Sequence, residues 1–89
     1  MAILIQADGK QANHDDMSLE GLQQAVGGYI QIISLQSEYE PQTSLVIDEE
    51  GKLKGKPINK QATFMARHTI FPSDSIVGDV VICRDDELQ

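Results

Sequence analysis

Four short runs of apolar and β-branched residues constrain this fold most strongly, because turn-forming residues interrupt the chain before any run exceeds eight residues. Runs of this length are typical of strands in a small sheet. They cover residues 2–7, 29–35, 45–47 and 76–83. The sequence therefore predicts a sheet of short strands, with room between them for two short helices.

Each of the two helical segments begins at a residue that can cap a helix. Ser18 precedes a segment whose apolar residues share one face, and Gly27 follows it, as glycine commonly does after a helix. Asn59 is the predicted N-cap of the second helix. The residues of that helix expected to face the core are Ala62, Met65 and Ala66.

These elements follow one another in the order β-α-β-β-α-β. A mainly antiparallel sheet with both helices packed on one face would bury both amphipathic stripes, so we expect an α+β fold of ferredoxin-like or related type. The strands at residues 29–35 and 45–47 are expected to pair as an antiparallel hairpin. We predict a single domain over residues 1–84, followed by an acidic C-terminal tail at residues 85–89.

The charge balance and the cysteine content bound the functional class. Among 89 residues, 14 acidic and 7 basic side chains give a net charge of -7, which argues against direct binding to nucleic-acid phosphates. No apolar run reaches the length of a membrane span and no leader pattern opens the sequence, so we expect a cytoplasmic protein without membrane contact. The single cysteine, Cys83, is expected to be a buried thiol. A mostly aliphatic core in so short a chain favours a homo-oligomer.

Four of the seven cationic side chains lie within residues 52–60, which is unusual on so acidic a chain. A glycine, a helix N-terminus and a lysine together supply backbone access, N–H groups and charge, which are the parts of an anion site. We therefore predict that this lysine segment binds an anionic nucleotide, with an aromatic ring stacking on the base. The predicted binding residues are Lys52, Lys54, Lys56, Asn59, Lys60, Arg67 and Tyr29.

Other interpretations of the lysine segment stay open. It would equally suit a solvated turn that keeps an edge strand from pairing with other chains, or a contact to an acidic protein. It is not a Walker loop, because Pro57 removes an N–H donor that the motif needs. No catalytic or metal-binding motif is present, so we predict a non-enzymatic protein without a cofactor. The enzymatic alternative is a small hydrolase that uses His68 and Asp79.

Three segments of the chain resemble a family of small domains of unknown function that bacteriophages, plasmids and other bacterial mobile elements carry. They are VGGYI at residues 26–30, IDEEGKLKGKPIN at residues 47–59 and IVGDVVI at residues 76–82. The most specific part is residues 50–59, where the family typically shows the pattern E-G-K-L-x-G-x-P-x-N. The family position that corresponds to Lys56 is often apolar.

This resemblance implies a setting and no enzyme activity, so no catalytic residue is carried over from the family. A small protein of this origin is expected to act by binding inside a bacterial host. We accordingly predict a binding protein of the anti-defence type that modulates or inhibits a host system, with a host protein or an anionic nucleotide as its partner. The alternative within this setting is an acidic inhibitor that occupies a host protein's nucleic-acid site.

Overall fold

Five strands form one antiparallel sheet in the computed structural model, which describes residues 2–35 and 42–88. Within these residues, α1 (Leu19–Val26) and α2 (Lys60–Met65) pack against the sheet, and a 3-10 turn covers Asp85–Glu87. This arrangement confirms the α+β class and the antiparallel sheet. The spatial order of the strands is β2 (Gln11–His14), β1 (Ala2–Ile5), β5 (Val80–Arg84), β4 (Thr43–Asp48) and β3 (Ile30–Ser34).

The sheet contains one strand more than the sequence predicts. β2 pairs with β1 in a hairpin, with Ala2 opposite His14 and Ile5 opposite Gln11. Three of its four residues are exposed and none is strongly apolar, so no alternation of apolar and polar residues predicts the strand. The turn is made at Gly9, whose φ of 96° suits glycine best. The element order is therefore β-β-α-β-β-α-β.

The two helices lie on opposite faces of the sheet, so the prediction that both pack on one face is wrong. α1 packs with Val46 and Val81, whereas α2 packs with the neighbouring residues Leu45 and Val80. Successive side chains of a strand point to opposite faces, which places the helices on different sides. The central strands β4 and β5 are apolar on both faces, and a different helix buries each face. We call the two sides the α1 face and the α2 face.

The strand order also departs from the ferredoxin-like arrangement. Each adjacent pair of described strands is antiparallel, including β1 with β5. A ferredoxin-like sheet is assembled from split βαβ units with parallel strands. Here α1 instead connects the two edge strands, β2 and β3, across the width of the sheet.

The local predictions for the helix ends and the hairpin are confirmed. Ser18 caps α1 by accepting a hydrogen bond from the Gly21 N–H, and Gly27 ends the helix in the left-handed conformation with a φ of 84°. Asn59 caps α2; Ala62 in the helix and Ala66 at its C-cap are fully buried, and Met65 packs beside them. β3 and β4 form the expected antiparallel pair, with Ile32 opposite Val46.

The residues after β5 remain packed on the domain. The Ser44 hydroxyl donates a hydrogen bond of 2.6 Å to the Asp85 carboxylate, and Leu88 packs against the core of the α1 face. The packed structure thus continues past the predicted boundary at residue 84. Burial, together with the nearby carboxylates of Glu87 and Asp85, raises the pKa of the Cys83 thiol to about 11, in agreement with the predicted buried thiol.

Candidate functional site

Two lysines of the predicted anion site are bound to a carboxylate of the same chain. The ammonium groups of Lys54 and Lys56 lie 2.9 Å and 2.7 Å from the same oxygen, Oδ2, of Asp48 at the end of β4. Lys56 also donates to the Val26 carbonyl at 2.6 Å, and Lys54 donates to the Gly27 carbonyl at 3.0 Å. The lysine segment therefore ties the end of β4 to the C-terminus of α1. We call this group the Asp48 clamp: Asp48, Lys54, Lys56 and the carbonyls of Val26 and Gly27.

The two lysines of the clamp stabilise negative charge at the C-terminus of α1 and at Asp48. The last carbonyls of a helix carry partial negative charge and lack partners inside the helix, and cations near them are stabilising. α1 has no basic residue in its own last turn, so Lys54 and Lys56 supply these cations from another part of the chain. Their ammonium groups neutralise Asp48, which is only 4% exposed. An isolated carboxylate at that depth would be strongly destabilising.

Two glycines from the family-like VGGYI segment leave room for the clamp. A β-carbon on Gly28 would lie 2.5 Å from the Lys54 ammonium and 2.8 Å from the Asp48 carboxylate. A β-carbon on Gly27 would lie 2.9 Å from the Lys56 ammonium. The family-like segments around residues 27 and 54 thus meet at one point of the fold.

The Asp48 carboxyl has a strongly shifted pKa. Burial by itself would raise that pKa, but hydrogen bonds from Lys56, Lys54 and the Glu50 N–H outweigh burial and lower it to about 2. A carboxyl whose pKa is lower in the folded state stabilises the protein above its unfolded value of 3.8, and the stabilisation is lost as pH falls through the folded value.

This shift predicts an acid-dependent difference between the native protein and its Asp48→Asn variant. The native protein should be the more stable above about pH 5, and the gap should shrink by roughly 2 kcal/mol between about pH 4 and pH 2. Urea unfolding of both proteins at several pH values measures the gap, and the other carboxyls cancel in the comparison. A gap that stays constant down to pH 2 would show that Asp48 titrates normally.

The remaining predicted binding residues do not gather at the clamp. Lys52 forms an ion pair with Asp74, which lowers the pKa of that carboxyl. The Asn59 side chain is buried, where it caps α2 and donates to the carbonyls of Ile5 and Gly78. The polar atoms of its side chain therefore bond to backbone groups of the domain itself.

Lys60, Arg67 and Tyr29 all lie on the surface. Lys60 is exposed in the first turn of α2. The Arg67 guanidinium stacks over the Phe64 ring at 4.1 Å and donates to the Phe64 carbonyl. Tyr29 is exposed beside the start of β3. The predicted set is thus divided between a structural clamp, a helix cap and separate surface positions.

A cleft of about 530 Å³ on the α2 face is a second candidate site, apart from the Asp48 clamp. Its floor comes from β3 and β4, one wall from residues 69–77, and its rim from the loop after β4. Leu53 and Phe71 line it from two different chain segments while remaining 85% and 80% exposed. The lining side chains that are apolar are Ile33, Ile47, Leu53, Ile70, Phe71, Pro72, Ile76 and Val77.

Charged and polar groups stand at the edges of this cleft. The Lys52–Asp74 ion pair joins the loop after β4 to the opposite wall, and both residues line the cleft. Gln31 and Glu49 add an amide and a carboxylate. Such an ion pair between exposed side chains contributes little stability and exchanges readily with solvent. An apolar floor with a few polar groups at its margin is the usual composition of a binding cleft.

No sequence pattern predicts this cleft, and of its lining residues only Lys52 belongs to the predicted binding set. The sequence signal of this cleft lies in Leu53, which stands between two lysines, and in Phe71, which lies outside any predicted helix or strand. Apolar residues in a turn with no strand or helix period have no obvious core to enter. Their exposure could therefore have been inferred, but their convergence depends on the fold.

The two residues of the enzymatic alternative come from different parts of the chain, His68 from the stretch after α2 and Asp79 from the position before β5. Asp79 accepts a hydrogen bond of 3.0 Å from the Ala7 N–H, and His68 lies on the exposed stretch after α2. In residues 2–35 and 42–88, no three His, Cys, Asp or Glu side chains come together as metal ligands would. Neither of the helices there has the length and hydropathy needed to cross a membrane.

The fold is a small α+β domain with an apolar cleft on one face of its antiparallel sheet. The chain belongs to a family of domains of unknown function, DUF3846, whose model matches residues 1–89. This family membership confirms the resemblance to a family of small uncharacterised domains. No curated protein and no solved structure matches the chain.

Proposed function

We propose that this protein is a small non-enzymatic binding protein that holds an apolar segment of a partner protein in the cleft on its α2 face. The observation that supports this proposal is the exposure of Leu53 and Phe71 over an apolar floor. Exposed apolar patches of this kind are typical of protein interaction sites, where large side chains act as anchors. In the setting that the family resemblance implies, such binding would modulate or inhibit a host system.

Protein binding accounts for the observed charges better than nucleotide binding does. A nucleotide phosphate would have to compete with Asp48 for Lys54 and Lys56, and with Asp74 for Lys52. The net charge of -7 also repels an anionic ligand. A partner that inserts apolar side chains between Leu53 and Phe71 needs no such exchange. Nucleotide sequestration is therefore the second possibility, and the test below distinguishes it.

A photoreactive phenylalanine analogue at Phe71 tests the proposal in bacterial cells that make the protein. We expect one discrete crosslinked partner protein, identified by mass spectrometry, because residue 71 lines the cleft. The same analogue at Phe64 is the matched control, since Phe64 is also an exposed phenylalanine but lies outside the cleft lining. Adding Leu53→Asp should abolish the crosslink from position 71.

Three outcomes would overturn the proposal. Equal crosslinking from positions 64 and 71 would show nonspecific contact, and no crosslink from position 71 would show that the cleft has no protein partner. If the sole crosslinked product had the mass of two copies, no other protein would occupy the cleft. Native mass spectrometry of the purified protein covers the nucleotide possibility, because a retained nucleotide adds a few hundred daltons per site.

A further inference from the structure

Within the described residues, β3 is an edge strand without the features that keep exposed strands from pairing with other chains. β3 lies at one end of the sheet and reads Ile-Gln-Ile-Ile-Ser, with no charge, no proline and no bulge. Natural edge strands are usually protected by one of these features. Ile32 in its middle is 48% exposed. The opposite edge, β2, is more polar and is followed directly by Asp15 and Asp16.

This edge also lies in the part of the chain with the least charge. Residues 21–37 contain no acidic or basic side chain, although 24% of all residues in the protein are charged. Two copies with a net charge of -7 each repel one another over most of their surfaces. Close approach of two identical chains is therefore least opposed at β3. A basic partner would gain nothing from an uncharged edge, so the charge pattern favours a second copy.

The register of β3 on β4 determines which backbone groups face outward. The Leu35 N–H donates to the Thr43 carbonyl, and the Glu49 N–H donates to the Tyr29 carbonyl. Hydrogen-bonded pairs alternate along an antiparallel ladder, so the odd-numbered residues of β3 bond to β4. The N–H and C=O groups of Ile30, Ile32 and Ser34 consequently point to the outer edge.

We propose that two copies of this chain pair antiparallel through β3, with Ile32 of one copy opposite Ile32 of the other. In this register Ile30 lies opposite Ser34 of the second copy. Each residue whose backbone N–H and C=O point to the outer edge therefore lies opposite another such residue. The same surface patch serves on both sides, as a two-fold symmetric dimer requires. The result is one continuous antiparallel sheet across both copies.

This dimer is independent of the ligand of the cleft but determines how two clefts are arranged. The two-fold axis between antiparallel strands of one sheet runs perpendicular to the sheet, so both α2 faces lie on the same side. Gln31 and Ile33, which line the cleft, would lie opposite Ile33 and Gln31 of the second copy. A dimer of this form therefore presents two adjacent clefts to one partner surface.

Analytical ultracentrifugation of the full chain tests the interface, with Ile32→Lys as the disruptive change. The native protein should sediment with twice its monomer mass of 9.8 kDa, and Ile32→Lys should weaken dimerisation at least 30-fold by placing two lysines face to face. Asn13→Lys on the edge strand β2 is the matched control, because Asn13 is exposed on the opposite edge. It should leave the dimer unchanged.

A disulfide variant provides a positive test that does not depend on weakening the fold. Hydrogen-bonded antiparallel neighbours lie about 5.5 Å apart at Cα, within the range that a disulfide spans. Ile32→Cys should therefore oxidise to a covalent dimer, whereas Asn13→Cys should stay monomeric on a denaturing gel. A native protein that is monomeric at 100 μM overturns the proposal. So does a dimer that persists in Ile32→Lys, or a dimer that both lysine variants weaken equally.

Discussion

Replacing Asp48 by alanine is expected to lower the free energy of unfolding by about 3 kcal/mol, because removal of one member of a buried ionic group leaves its partners uncompensated. The ammonium groups of Lys54 and Lys56 would face each other without the carboxylate that now lies between them. A chain of this length has a total stability of about 4 to 13 kcal/mol. The variant should therefore retain only about 1 to 10 kcal/mol of that stability, which urea denaturation followed by circular dichroism measures.

Matched changes separate the clamp from general effects of charge. Asp74→Ala removes a carboxylate from the exposed pair with Lys52, and it should leave stability nearly unchanged. Lys56→Met should cost clearly less than Asp48→Ala, because Lys54 remains bound to the carboxylate. The interpretation of Asp48 as the centre of the clamp would be wrong if Asp74→Ala and Asp48→Ala destabilised the protein equally.

Replacing Asn59 by alanine is expected to cost about 2 to 4 kcal/mol, since it removes a helix cap and leaves buried carbonyls without donors. Asn59 is only 1% exposed, and its side-chain oxygen accepts a hydrogen bond from the Ala62 N–H at 3.0 Å. Its amide donates to the Ile5 carbonyl at 3.0 Å and to the Gly78 carbonyl at 2.9 Å. Thermal and urea unfolding should both show the loss.

Two further variants separate these contributions. Ser18→Ala removes the more exposed cap of α1 and should cost only about 1 kcal/mol. Asn59→Asp keeps the oxygen that caps α2 but replaces the donor amide with a second oxygen facing two carbonyls. It should therefore destabilise the protein although the cap remains. If Asn59→Asp is as stable as the native protein, the bonds to Ile5 and Gly78 do not contribute.

The local features of the fold were predictable because they depend on neighbours in the sequence. Ser18, Gly27 and Asn59 were assigned to helix ends from residue type and position, and the structure confirms all three. The hairpin of β3 and β4 follows from two apolar runs with a polar connection. β2 was missed because its backbone pairing with β1 needs no apolar side chains.

The candidate site was less predictable, because its parts come from distant positions. The concentration of lysines in residues 52–60 was correctly recognised as unusual, but the sequence could not show what the ammonium groups contact. Lys56 reaches Val26, which lies 30 positions earlier in the chain. Leu53 and Phe71 carry no sequence pattern that places them beside the same cleft.

Residue type, period and charge are local properties, and they suffice to predict the α+β class, the helix caps and the buried thiol. Three other features depend on the folded chain: the helices cover opposite faces, Lys54 and Lys56 neutralise Asp48, and an apolar cleft opens beside β3. Buried charge and exposed apolar surface depend on which distant segments of the chain come into contact. Such contacts neutralise buried charge, and no local sequence pattern predicts them.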